Sequence, residues 1–361
     1  MQSKIATLLI PYSKGNLTLK NHLVMAPMTR SRAINNIPND LLAEYYGQRT
    51  GAGLIITEGT APTADALSYA RIPGIFSQAQ IEGWKKTTTA VHQYGTKIFL
   101  QIMHTGRIGH FHNLPEGAIL VGASDLKATG QIQTDTNGLQ DFSEPKALTI
   151  EGIETVVQGY VNAAKNAVAA GFDGIELHGA NGYLLEQFLN PNVNNRTDSY
   201  GGNMERRAKL ILEVAEKTIA AIGNDKVGIR LSPFSKTGDL QPYDENEVHN
   251  TYAFLATELN KMKVVYIHIV MNPLIPQATI DAIRSNYNGT VIKAGGFTPE
   301  TAEQALVSGS ADLVAFGKAF LANPDFEKRI ETGAELNPID FKTLYAPPDA
   351  KGYTDYPTLQ G

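Results

Sequence analysis

Three residues within one short stretch, His178, Asn181 and Tyr183, are well equipped for chemistry. A phenol is neutral at pH 7 and can give up its proton, which suits Tyr183 to protonate a developing carbanion. His178 and Asn181 can each donate a hydrogen bond, and two donors aimed at one carbonyl or nitro oxygen stabilise charge growing there. Taken singly, each is equally readable as an ordinary buried, hydrogen-bonded residue. One His beside one Asn does not make a ligand set, so no metal is expected.

These residues need an element to present them. The run 174–177, GIEL, is apolar and ends abruptly in Gly and polar side chains, as a buried strand does when it delivers a loop to the surface. If that strand belongs to a parallel barrel, the three side chains stand at its C-terminal mouth, where barrel enzymes keep their chemistry. Seven further runs of the same kind occur at 23–26, 53–58, 97–103, 227–231, 264–270, 290–293 and 313–316. They lack polar alternation, as strands buried on both faces do. Segments of helical period lie between and after them at 40–50, 78–94, 150–170, 204–221, 245–261, about 276–286, 299–308 and about 324–332. Asp40, Thr149 and Thr298 are the expected N-caps, and Gly171 and Gly309 the expected helix stops. The pattern predicts an α/β fold, a single (β/α)8 TIM barrel spanning 1–361. Residues 115–148 exceed an ordinary strand-to-helix loop, and a hairpin or lid pairing 118–121 with 130–133 is expected there.

Other strand ends carry polar groups with a purpose to explain. The first run ends in Ala26-Pro27-Met28-Thr29, where proline stops the ladder and leaves a hydroxyl and amides facing the mouth; a plain turn is the alternative. Gly59 follows the second strand and permits close backbone approach. Gln101, in the third, offers one acceptor and two donors, a set suited to an imide-like ring edge such as that of a flavin. Arg230 interrupts an apolar strand and needs either an acceptor-rich ligand or a buried carboxylate such as Glu176. The seventh and eighth strands end in Gly295-Gly296 and Gly317-Lys318, at the strand pair where barrels commonly hold phosphate.

Composition narrows the classes. Hydrophobic residues make up 42% and charged residues 19%, and the net charge of −5 offers no basic footprint for nucleic acid. The absence of cysteine removes disulfides, thiolate nucleophiles and cysteine-ligated iron–sulfur clusters, so redox chemistry would need a bound cofactor. With neither a secretory signal nor a membrane-length apolar run in view, a cytoplasmic protein acting on small molecules is expected, as a monomer or weak homo-oligomer.

The segments NHLVMAPMTR (21–30), GLIITEGT (53–60), HGANGYLLEQFL (178–189), NRTDSYGGNMERR (195–207) and AFGKAFLANPDF (315–326) together resemble the Old Yellow Enzyme family, in the family's order. The resemblance is nearest to bacterial ene reductases of the N-ethylmaleimide and pentaerythritol tetranitrate reductase type. It implies a noncovalent FMN across the mouth and NADPH or NADH as reductant. Ala26, Pro27, Met28 and Gly59 would line the flavin ring, with Thr29, Gln101 and Arg230 on its polar edge and Gly295, Gly296, Gly317 and Lys318 at its phosphate. His178 and Asn181 would bind the electron-withdrawing oxygen of an activated alkene and Tyr183 would supply the proton, in a pocket walled by Tyr69, Met103 and Tyr353. Nitro compounds or nitrate esters are further expected oxidants. Met103 stands where many relatives carry Trp or Phe, and Lys318 replaces a usual Arg, keeping charge but losing the bidentate fork. A cofactor-free phosphosugar lyase or isomerase on the same barrel, and a flavin-binding protein without turnover, are the alternatives.

Overall fold

A computed structural model describes residues 5–359. The single-domain expectation includes residues 1–4 and 360–361, which lie outside the described residues. Eight strands close a parallel barrel: β1 (Leu23–Met25), β2 (Leu54–Ile56), β3 (Lys97–Ile102), β4 (Gly174–Gly179), β5 (Val227–Leu231), β6 (Tyr266–Val270), β7 (Thr290–Ala294) and β8 (Leu313–Phe316). β8 returns to β1 with Ala315 opposite Val24, so the barrel itself has no edge strand.

The apolar runs do two jobs. Leu100, Ile102, Ile175, Leu177, Ile229 and Ile267 share one core with the surrounding helices. Val24, Leu54, Ile56, Phe99, Tyr266, Ile292 and Leu313 form a separate interior cluster. Glycines make room for its large rings: a Cβ on Gly174 would lie 2.5 Å from the Phe99 ring, and one on Gly228 would lie 2.3 Å from Tyr266. An antiparallel hairpin, Tyr12–Lys14 with Leu17–Leu19, joins this cluster and closes the barrel bottom, its Tyr12 hydroxyl 2.8 Å from Thr290 Oγ1. Sequence periodicity over so few residues did not reveal it.

Several local expectations change. Asn39, not Asp40, caps the first helix (Asp40–Gly47), its side chain accepting from Leu42 N; Thr149 and Thr298 cap as expected. β4 runs two residues further than 174–177, so His178 sits within the ladder. In the insertion, 118–121 does not pair with 130–133. Instead Gln131–Thr134 pairs with Gly138–Asp141, and Val121–Gly122 lies parallel to Lys146–Ala147. The tight turn at Gly138, φ +67°, makes the local hairpin the shorter closure. The chain after β8 forms two short helices, Lys318–Ala322 and Phe326–Thr332, where one was expected.

Candidate active site

The barrel's parallel register sets the site's floor. Glu176 lies opposite Gln101, His178 opposite Arg230, and Arg230 opposite His268. Neighbouring positions in register point the same way, so these side chains converge inside the barrel. The Glu176 carboxylate is taken up by its neighbours: Gln101 Nε2 donates to Oε1 at 2.8 Å, and His268 Nδ1 lies 2.8 Å from Oε2. Burial alone would raise that carboxyl, but the adjacent His268, then Arg230 and Gln101, bring it below its ordinary value. The expected alternative of an Arg230–Glu176 ion pair is therefore not the arrangement found. Arg230 is buried, its Nε has no hydrogen-bond partner among the described residues, and its side chain faces the mouth.

Above this floor stand His178, Asn181 and Tyr183. The His178 and Tyr183 rings meet edge to face at 4.9 Å, and Nδ1 of His178 also has no hydrogen-bond partner among the described residues. Burial, reinforced by Arg230 and His268, holds His178 well below the usual imidazole range and so neutral. Burial also raises Tyr183, which keeps its phenol protonated at neutral pH. Its hydroxyl donates to the Tyr69 hydroxyl at 3.2 Å. Asn181 occupies the left-handed region at φ +58° and borders the same cavity.

That cavity, about 350 Å³, gathers Pro27, Met28, Thr29, Tyr69, Gln101, Met103, His178, Asn181, Tyr183, Arg230 and Lys318. It adjoins a second of about 460 Å³, bounded also by Ala26, Gly295, Gly296 and Gly317, and the two share Pro27, Met28, Arg230 and Lys318. Most of the expected residues thus lie along one groove across the mouth. Gly59 is not among the residues that border either cavity; a Cβ there would come 2.5 Å from Met103 Sδ, so the glycine is what seats Met103.

Tyr353 is placed elsewhere. Its ring is fully buried, stacked on Tyr45 at 4.0 Å, with the Arg30 and Arg32 guanidinium groups above 5 Å from its centroid. The tyrosine that borders the pocket from the C-terminal segment is Tyr345, accompanied by Leu344 and Ile339, with Leu321 also at the wall. Sequence reasoning missed it because two tyrosines occur eight positions apart in 345–353, and only the fold distinguishes anchor from wall.

The groove suits a flavin mononucleotide. It combines a buried guanidinium whose Nε has no partner among the described residues, an amide with one of its two donors on Glu176 and its oxygen left to accept, and a glycine-lined end beside Lys318. At that end Gly295 and Gly296 have φ +131° and +70°, and a Cβ on Gly295 would lie 2.6 Å from the Met271 carbonyl oxygen. The model of the NADH:flavin oxidoreductase / NADH oxidase family matches residues 7–337. The chain belongs to that family, the Old Yellow Enzymes. Its curated relatives include putative 12-oxophytodienoate reductase 2 of Oryza sativa subsp. japonica, 40% identical over 98% of this chain and 94% of the relative. Another is 12-oxophytodienoate reductase 2 of Arabidopsis thaliana, 38% identical over 98% and 96%. Among solved structures, morphinone reductase superposes with a TM-score of 0.93 at 38% identity, covering 99% of this chain and 98% of that one. A structure of morphinone reductase in complex with tetrahydroNAD also gives 0.93, at 40% identity and 98% coverage of each chain. As an Old Yellow Enzyme the chain is an FMN-dependent oxidoreductase, and the cofactor-free lyase or isomerase alternative is set aside.

Proposed function

We propose that this Old Yellow Enzyme is an ene reductase, using NADPH or NADH to reduce carbon–carbon double bonds activated by a carbonyl, imide or nitro group. The observation that carries the reading is one wall bearing a neutral imidazole, an amide and a protonated phenol above a groove fitted to a flavin. Bound in this groove, FMN would supply the hydride chemistry that links the nicotinamide to the alkene. Thr29, Gln101 and Arg230 would hold the ring's polar edge, and Gly295, Gly296, Gly317 and Lys318 the phosphate.

The protein's own part is electrostatic and acid–base. His178 and Asn181 donate to the substrate's oxygen, where negative charge collects as the double bond is consumed; donors already in place need little reorganisation. Tyr183 then delivers its proton to the α-carbon, which completes the saturated product and leaves a phenolate beside the Tyr69 hydroxyl. A neutral His178 matters here, because imidazolium beside Arg230 would add a second buried positive charge. Met103, Tyr69 and Tyr345 bound the space left for the substrate.

The test is an anaerobic spectrum of the flavin-loaded protein, first with NADPH and then with 2-cyclohexenone. Bleaching of the flavin band by NADPH and its return with the enone are the expected results. A reduced flavin that the enone cannot reoxidise would remove this function, and a flavin that NAD(P)H cannot reduce would indicate binding without turnover.

A further inference from the structure

Asn181 holds a backbone conformation that non-glycine residues seldom adopt, and it does so at the position proposed to grip the substrate's oxygen. What holds it there is a buried carboxylate on the helix that follows. Asn181 N–H donates to Ser232 Oγ at 2.8 Å, and the Ser232 hydroxyl donates onward to Glu186 Oε1 at 2.6 Å. Gly182 N–H donates to Glu186 Oε2 at 2.7 Å, and Tyr252 OH to Oε1 at 2.8 Å. Both carboxylate oxygens therefore accept, and two of the three donors lead back to the Asn181–Gly182 turn. Opposite them, a Cβ on Gly182 would sit 2.3 Å from the Thr237 carbonyl oxygen, so the turn is pressed from the other side as well.

Glu186 is 2% exposed, and no cation is in hydrogen-bond contact with it among the described residues. A carboxylate kept under those conditions is costly, and a neutral side chain could serve a purely structural turn. We propose that Glu186 is a positioning residue, whose carboxylate holds Asn181, through Gly182 and Ser232, in the conformation that presents its amide to the substrate's oxygen. This rests on the ene-reductase reading above.

The arrangement has a pH signature. Burial raises the Glu186 carboxyl to about 7. Once protonated it must itself donate, while Gly182 N–H, Ser232 OH and Tyr252 OH all donate into it, so one of them loses its acceptor. The other titratable groups around it are Tyr252 and Tyr243, both raised by burial and neutral in this range, with Lys236 and Glu245 on the wall of the adjoining cavity of about 180 Å³. The His178 imidazole is already neutral there.

The experiment measures the dissociation constant of 2-cyclohexenone from the oxidised holoenzyme by flavin absorbance, at about pH 6 and about pH 8. Wild type should bind more weakly at the lower pH. E186Q, which can accept at only one of the two positions, should bind about tenfold more weakly than wild type at the higher pH and lose the pH dependence. E186D, keeping both acceptors, should recover part of the affinity and the pH dependence. E186Q that matches wild type in affinity and pH response overturns the proposal. If E186Q does not retain flavin, S232A carries the test through one arm of the relay: weakened binding supports it, and unchanged binding overturns it. A wild-type enzyme that neither binds nor is reoxidised by the enone removes the ene-reductase reading and this inference together, an outcome distinct from a variant effect.

Discussion

Arg230 has a charged head buried at the barrel mouth with an unpartnered Nε, an arrangement that costs stability until an acceptor arrives. Arg230→Met, similar in length and free of charge, should leave the melting temperature of the flavin-free protein equal to or above wild type while abolishing most of the rise that FMN produces. Thermal melts with and without added FMN check this, and a variant destabilised equally in both states would contradict the role. Tyr183→Phe removes the proposed acid but little volume, so alkene-driven reoxidation should slow by about 10²–10⁴-fold while reduction by NADPH stays near wild type. Stopped-flow measurement of the two half-reactions separates them, and equal losses in both would take Tyr183 out of the proton-donor role. At this scale the sequence was informative where a polar residue interrupts an apolar strand, as Gln101 and Arg230 do. It was silent where contacts span the chain. Gln101 and Glu176 are 75 residues apart, and nothing local announces that one fixes the other's amide.

Between residues and fold, the element that departs most from expectation is the insertion after β3. Asp239, in the loop after β5, fastens it: its carboxylate accepts from Thr129 N at 2.9 Å and from Thr129 Oγ1 at 2.8 Å, and its backbone carbonyl from Arg107 at 2.6 Å. Arg107 also reaches the Leu126 carbonyl at 3.2 Å. Asp239→Ala should therefore loosen the insertion locally, with faster amide exchange across 126–134 and a global cost of about 1–3 kcal/mol. Hydrogen–deuterium exchange reads the first and chemical denaturation the second; unchanged exchange would show that the hairpin is held elsewhere. The eight barrel strands were readable because strands buried on both faces leave continuous apolar runs. The insertion hairpin was not, because its strands are four residues each and only Gln131–Thr134 alternates buried with exposed, Gly138–Asp141 burying none, and the pairing was decided by the turn.

Over the whole molecule, the C-terminal tail is tied to the barrel's first loops through arginines. Arg32 donates to the Thr343, Leu344 and Lys351 carbonyls, Arg30 to those of Leu344 and Gly352, and Arg49 to that of Tyr353. Tyr353 lies at the centre of this cage, and Tyr345, eight residues earlier, reaches the pocket as a result. Tyr353→Ala should cost about 3–5 kcal/mol of stability and also weaken enone binding, although the side chain never touches the site. A melt paired with an enone titration checks both, and weakened folding with unaltered binding would uncouple the tail from the pocket. The family motif GYTDYPTL is visible in the sequence, but whether its first tyrosine, Tyr353, lines a cavity or fills a core depends on where three distant arginines converge.

The hairpin at the barrel bottom has a practical side. Its turn, Gly15-Asn16, is exposed and joins a cluster at the opposite end of the barrel from the mouth. The protein also contains no cysteine. A single Asn16→Cys substitution would give the molecule one thiol, at one known point, facing away from the substrate. Coupled through it to a bead or an electrode, every molecule would be attached in the same orientation, with its mouth open to the solution.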